Sequence, residues 1–419
     1  MAKTTIYILI FLLFSYASSQ TINEKKLKKW IDQISVFDKC HVAIRVEGIN
    51  KIYANYNGSK YMTPASNTKL FTFLGAIQTF DSLPALEFKI ENDSVVSFRS
   101  TGYPLLLHPF YSDSTLLNFL SQKKIWKYSK PNEKVKPFGP GWAWDDYSFY
   151  YAAEKSVFPI YGNTVKAIMG EKLAPDFFLE LDSSVNKLER NKTENKFYYN
   201  PDNWKVTDTI YIPFITSDSL FVNLLSRVTN NNIIYNNKND SLGWSALYAN
   251  NDNKLYKALL HDSDNGIAES LLLMVSKRLS GRFSTSKAIG ILKNKWGDVF
   301  KDDLIWYDGS GVSRYNMFTP RTIIQVLRLI RKEIEWPEIK KLFPKSGESG
   351  TLLDYTSLKN IYAKTGTLKN NCNLSGFFEN RKGKIIMFSV MVNHFNLSAG
   401  EIRNGIAEIV NKIQKKLNS

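Results

Sequence analysis

The chain has 419 residues, 43% of them hydrophobic, and carries 55 Lys and Arg against 39 Asp and Glu, a formal net charge of +16. That is ample for a large core and more than one domain. The positive balance points to an anionic partner, yet the lysines are scattered and no nucleic-acid-binding signature accompanies them. An acidic wall polymer or an anionic membrane surface therefore fits better than nucleic acid, beside the plain alternative of a solvated basic surface.

Residues 1–20 open with one positive charge at Lys3, continue through an apolar run over 6–14 and end in the small residues Ala17, Ser18 and Ser19. This is the pattern of a secretory signal peptide cleaved near Ser19. The run is shorter than the roughly 20 residues a membrane span needs. No cysteine follows that could take a lipid anchor, so an exported, soluble mature chain is expected. Leu27, Trp30, Ile31 and Ile34 then recur at helical spacing, and 42–46 with 51–56 read as a strand pair. Over 81–254 the texture changes to short strands, aromatics and asparagine-rich turns such as Asn230-Asn231-Asn232, the look of an inserted domain flanked by 20–80 and 255–419. The asparagine clusters read as exposed turns.

Helices follow at 267–279, 287–295 and 321–334, and strands at Ile361–Leu368, 374–379 and 384–392, with 380–383 as a hairpin turn. Ile402, Ile406, Ile409, Val410, Ile413 and Leu417 mark a terminal helix with Glu401 near its start and lysines near its end, as the helix dipole favours. Strands from both ends of the chain imply one sheet, covered by the terminal helices on one face and the central helices on the other. The fold class is thus α/β (α+β), in two or three layers. Cys40 and Cys372 each flank a strand of that sheet, which leaves a disulfide and a pair of buried thiols both open. The four histidines, at 41, 108, 261 and 394, are isolated and lack ligand spacing, so neither a metal nor a cofactor is expected.

Three motifs carry chemistry. Ser66 and Lys69 lie three residues apart at a helix start, so the amine can reach the hydroxyl and serve as its base if burial keeps it partly neutral. Pro64 suits the first turn, where its missing N–H is harmless. Three further S-x-x-K occurrences, at Ser121/Lys124, Ser184/Lys187 and Ser284/Lys287, show how weak this pattern is alone. Ser263-Asp264-Asn265 puts a second hydroxyl and a carboxamide before the apolar helix at 267–279, where a helix cap is the plain alternative. Lys364-Thr365-Gly366 lies inside an apolar strand, and a glycine there suggests that something approaches the backbone closely. Lys345-Ser346-Gly347 lacks that strand context.

With these motifs in this order, the chain resembles the low-molecular-mass class C penicillin-binding proteins, D-alanyl-D-alanine carboxypeptidases and endopeptidases of peptidoglycan. Further likeness lies in Gly141-Trp142-Ala143-Trp144-Asp145-Asp146, Asp308-Gly309-Ser310-Gly311-Val312-Ser313-Arg314, Gly350-Thr351-Leu352 and Lys364-Thr365-Gly366-Thr367-Leu368. The resemblance implies a penicillin-binding-protein/β-lactamase-like transpeptidase domain, an antiparallel sheet flanked by helices, with an inserted mixed α/β domain. It implies a periplasmic enzyme acting on peptidoglycan peptides and acylated by β-lactams. Ser66 would form the acyl-enzyme, Lys69 take its proton, Ser263 relay a proton to the leaving D-alanine and Asn265 hold the peptide amide. Lys364 with Thr365, Gly366 and Thr367 would receive the terminal carboxylate, and the N–H groups of Ser66 and Thr367 would form the oxyanion hole. Asp145 and Arg314 would bind a diaminopimelate end, walled by Trp142 and Tyr150. The chain departs from the family at Gly102-Tyr103-Pro104, where relatives commonly read G-D-P, and at residues 157–160. Two rivals remain: a β-lactamase or esterase using Tyr248-Ala249-Asn250, and a non-catalytic wall-binding scaffold.

Overall fold

The computed structural model describes residues 21–111, 113–168, 172–205, 208–236, 243–250 and 252–419. The segment read as a signal peptide lies outside the described residues. Strands His41–Glu47 and Ile52–Tyr56 join Ile361–Leu368, Asn371–Glu379 and Ile385–Asn393 in one antiparallel sheet. In space the order runs 361–368, 371–379, 385–393, 41–47, 52–56, so the first strand of the chain pairs with the last, His41 opposite Asn393. The sheet drawn from both chain ends is as the sequence led one to expect. Ile385–Asn393 is buried along almost its whole length, which explains why its sequence is a continuous apolar run rather than an alternating one.

One face is covered by the terminal helices Glu24–Asp32 and Ala399–Asn418. Ser398 and Glu401 cap the latter reciprocally, and its Ile402, Ile406, Ile409 and Ile413 meet Ile44, Val46, Leu374 and Val390 of the sheet. Helix Glu24–Asp32 stops one turn earlier than its periodicity suggests. Ile34 precedes a short 3-10 turn at Ser35–Phe37, yet stays buried in the same cluster. The opposite face takes Lys69–Ile77, Asn265–Ser280 and Pro320–Glu333, packed through a second apolar cluster with Leu74, Leu271 and Leu327, which completes three layers. Ten consecutive residues of Asn265–Ser280, Ile267 to Ser276, are buried, as a helix in the middle of the molecule requires.

Among the described residues between 84 and 248 lie three further sheets, none sharing a strand with the first. A five-stranded mixed sheet runs Ile233–Tyr235, Ile125–Tyr128, Val95–Ser100, Pro84–Asn92, Ser245–Tyr248, beside two three-stranded ones. Its apolar side merges with the central helices, since Leu83, Phe98 and Phe158 belong to the same cluster as Phe73 and Met274. The asparagine runs are more than exposed turns. Asn230 ends helix Asp218–Thr229 in a left-handed conformation, and Asn231 is buried, its amide donating to the carbonyls of Leu120 and Gln122 at 2.8 and 2.9 Å. Tyr248 closes an edge strand and is 53% exposed. No described helix is long and apolar enough to cross a membrane, and Cys40 and Cys372 are free thiols.

Candidate active site

Ser66 sits in a 3-10 turn, Ala65–Thr68, that runs directly into helix Lys69–Ile77, one turn before the α-helix the spacing suggested. Ala65 holds a positive φ of 48°, a conformation a non-glycine residue keeps only when its surroundings impose it. Those surroundings are polar groups on the sheet. Asn373 donates to the carbonyls of Thr63 and Pro64 at 3.0 and 2.9 Å, the Thr63 N–H donates to Asn393 at 2.6 Å, and Asn67 donates to the Lys364 carbonyl at 3.0 Å. Two glycines let the flanking segments close on the turn. A Cβ on Gly366 would stand 2.4 Å from the Pro64 carbonyl, and one on Gly311 would stand 2.0 Å from that of Ala65. The close approach inferred from a glycine within a strand is therefore made by the serine turn itself.

Lys69 is wholly buried. Its Nζ lies 3.0 Å from Ser66 Oγ and donates to Asn265 Oδ1 at 2.6 Å and to the Ser310 carbonyl at 2.7 Å. Burial lowers this amine to about 8, against the opposing pull of Asp308, Asp264 and Glu269, so a useful fraction is unprotonated near neutrality. Asn265 begins helix Asn265–Ser280, capped by Asp264, and its amide donates to the Tyr151 carbonyl at 2.8 Å. Ser263 precedes it in a left-handed turn, φ 65°. Lys364 is also wholly buried, and burial together with the Lys69 ammonium pushes its pKa well below the usual lysine range. Ser66, Lys69, Asn265 and Lys364 thus converge from the three separate motifs. Along Ile361–Leu368, Lys364 and Gly366 point to one side of the strand and Thr365 and Thr367 to the other, where the Thr367 hydroxyl meets the Cys372 thiol.

At the mouth, Arg314 and Asp146 face each other at 4.0 Å, and the Tyr151 hydroxyl donates to Asp146 at 2.9 Å. Asp145, the residue singled out from the motif, is exposed, whereas Asp146 is partly buried against Arg314 and Tyr151. Both carboxylates lie in the first turn of the 3-10 segment Trp144–Ser148, and it is the second that pairs with Arg314. Trp142 serves the scaffold, since its indole N–H donates to Asp308 at 2.9 Å. Tyr150 is half exposed, edge-on to Phe110 and Tyr151.

Several residues of this assembly escaped the motif reading. Asp308 is fully buried and accepts from Gly311 N and Asn316 Nδ2 on one oxygen and from Ser313 N and Trp142 Nε1 on the other. Asn373 and Asn393 were visible as amides inside apolar strands, a placement that asks for a polar partner.

Residues 252–415 match the model of the D-Ala-D-Ala carboxypeptidase 3 (S13) family. A curated relative, the D-alanyl-D-alanine carboxypeptidase DacB of Haemophilus influenzae, is 26% identical over 420 residues, covering 86% of each chain. Among solved structures, penicillin binding protein 4 of Haemophilus influenzae superposes with a TM-score of 0.74 at 21% identity, over 95% of this chain and all of that one. The same protein has been solved with a β-lactam. A predatory peptidoglycan endopeptidase from Bdellovibrio bacteriovorus follows at 0.52 and 14% identity, over 89% of this chain and 93% of that one. By its motifs, its fold and these relatives, the chain resembles the D-Ala-D-Ala carboxypeptidase S13 family, the low-molecular-mass class C penicillin-binding proteins, and its residues 252–415 match that family's model.

Proposed function

We propose that this protein is a serine DD-peptidase that cleaves terminal D-alanyl-D-alanine, or the equivalent D-alanyl-diaminopimelate cross-link, through an acyl-enzyme. The observation that carries the reading is the 3.0 Å approach of the buried Lys69 amine, lowered to about 8, to Ser66 Oγ. As Oγ bonds to the penultimate D-alanine carbonyl carbon, its proton passes to unprotonated Lys69 Nζ. The N–H groups of Ser66 and Thr367 take the developing oxyanion, and removing one such donor typically costs on the order of 100-fold to 1,000-fold. Collapse breaks the C–N bond, and the leaving amine receives a proton through Ser263. Water then hydrolyses the ester by the reverse relay. Asn265 would orient the substrate amide, and Lys364 the carboxylate; Thr365, on the other side of the strand, is left out of that role.

The zwitterionic end of diaminopimelate fits Asp146 and Arg314, a carboxylate for the ammonium and a guanidinium for the carboxylate. Residues 20–80 and 255–419 would form the catalytic domain and 81–254 the insertion, on the ground that no sheet of the latter shares a strand with the five-stranded sheet made by the chain ends. Export to the periplasm and acylation by β-lactams belong to the same reading, as does peripheral association with anionic wall or membrane surfaces. Tyr248 lies on the edge strand opposite Pro84 and is absent from the hydrogen bonds of Lys69, which run to Ser66, Asn265 and Ser310, and this speaks against a Y-x-N β-lactamase or esterase. Fluorescent penicillin should label the protein, and Ser66→Ala should abolish both the label and D-alanine release from a pentapeptide. Undiminished labelling of that variant would refute the assignment.

A further inference from the structure

Behind Lys69 lies a buried ion cluster that the chemistry above leaves unused. Glu269, four residues beyond Asn265 on the same helix, is 2% exposed. Its Oε1 accepts from the Ser310 N–H at 2.8 Å and from the Ser310 hydroxyl at 2.6 Å, while the carbonyl of Ser310 accepts from Lys69 Nζ at 2.7 Å. The amide that contains this carbonyl is pinned at its other end as well, because the Gly311 N–H donates to Asp308 at 2.9 Å. A planar peptide held at its nitrogen, and by the residue preceding that nitrogen, has no freedom left to swing its oxygen. Glu269 Oε2 makes no hydrogen bond among the described residues and looks toward the Lys155 ammonium at 3.9 Å, a side chain that is itself buried.

An ion pair in such a place is a poor route to stability, since an apolar pair of similar volume would pack there without desolvating two charges. Nor does Glu269 touch substrate. The cavity beside it, lined by Trp142, Asn265 and Lys155, measures about 20 Å³, far too small for any part of a peptide. We propose that Glu269, paired with Lys155, is a positioning residue that aims the Ser310 carbonyl at Lys69 and so fixes the proton-accepting amine over Ser66. This rests on Lys69 being the base of the proposed function.

The charges around the amine set a signature. Lys69 is faced by Asp308, Asp264 and Glu269, whose carboxylates favour its ammonium, and by Lys364, while Glu269 is itself faced by Lys155 and Asp308. Burial and Asp308 push the Glu269 carboxyl up while Lys155 and the Ser310 hydrogen bonds hold it down, and over the range where it is ionised, taking away its charge frees the base at lower pH. Glu269→Ala loses both bonds to Ser310, and Glu269→Gln keeps an acceptor for them but drops the charge. With the full-length protein and a fluorescent penicillin, the acylation rate constant at saturation should fall by about 10-fold to 100-fold in Glu269→Ala, while the noncovalent dissociation constant stays within about twofold. Glu269→Gln should recover most of the rate, and in both variants the acid limb of the rate against pH should move to lower pH. A folded Glu269→Ala with wild-type rate overturns the inference, as does a Glu269→Gln that loses as much as alanine with its acid limb unmoved. Should Glu269→Ala fail to fold by thermal melting, the acid limb of Glu269→Gln decides alone. Failure of the wild-type protein to label is a different result, and refutes the peptidase reading itself.

Discussion

Gly366 is an exacting position in the site, because the strand it belongs to presses directly on the serine turn. Replacing it with alanine adds a Cβ 2.4 Å from the Pro64 carbonyl oxygen, 3.0 Å from Asn67 Nδ2 and 3.1 Å from Asn67 N. Ordinary contact begins near 3.4 Å, so the turn and the strand must part by about 1 Å. The obstacle is backbone tied down by Asn373 and Asn393, so the adjustment cannot be left to a flexible side chain. A displacement of about 1 Å in a reacting group costs on the order of 100-fold in rate, and overpacking of this kind destabilises by about 1–3 kcal/mol. Gly366→Ala should therefore retain a cooperative thermal transition at reduced temperature and be acylated by fluorescent penicillin about 100-fold more slowly than wild type. Stopped-flow or gel-based labelling over a time course measures the rate, and melting of the same sample checks the fold. A folded variant acylated at the wild-type rate would show that the strand does not set the position of Ser66.

Three other outcomes can be checked on the same preparations. Because the base works only when unprotonated and burial brings Lys69 to about 8, acylation should climb with pH and level off above about 8; a rate independent of pH across the neutral range would contradict the assignment. Asp146→Asn should lower turnover of a diaminopimelate-bearing peptide by about tenfold while sparing a simple D-alanyl-D-alanine mimic, and Asp145→Asn should spare both; the opposite ranking would restore Asp145 to the pocket. A thiol reagent should count two cysteines in denaturant but react with Cys372 only after unfolding, since the side chain is 1% exposed and burial lifts its thiol to about 11. A count below two would mean a disulfide.

Much of the scaffold could be read beforehand because its signals are local. The terminal helix declares itself through Ile402, Ile406, Ile409 and Ile413 and the cap at Ser398 and Glu401, and the last three strands through unbroken apolar runs. Ser66, Lys69, Asn265 and Lys364 could be named because each belongs to a short motif of fixed spacing. What stayed hidden depends on tertiary approach. Nothing in the order of Asp145 and Asp146 says which one turns inward, and Trp142 looked like a pocket wall until Asp308 claimed its indole N–H. Asn231 resembled its exposed neighbours until two carbonyls, more than a hundred residues earlier in the chain, took its amide. The arrangement of residues 84–248 was illegible for the same reason, since its parallel pairs, Val95 with Ile125 and Ile233 with Trp126, join segments that no turn connects.

The pairing of the first strand with the last has a consequence for how the enzyme comes into being. The alcohol and its amine partner are encoded within four residues near the start, but the carboxamides that brace their turn, at 373 and 393, are made near the end. Until the polypeptide is finished and its two extremities have met, the bonds from Asn373 and Asn393 that brace the turn of Ala65 are missing. A nascent or clipped molecule would lack those braces, so its nucleophile should reach working geometry only once both extremities have met.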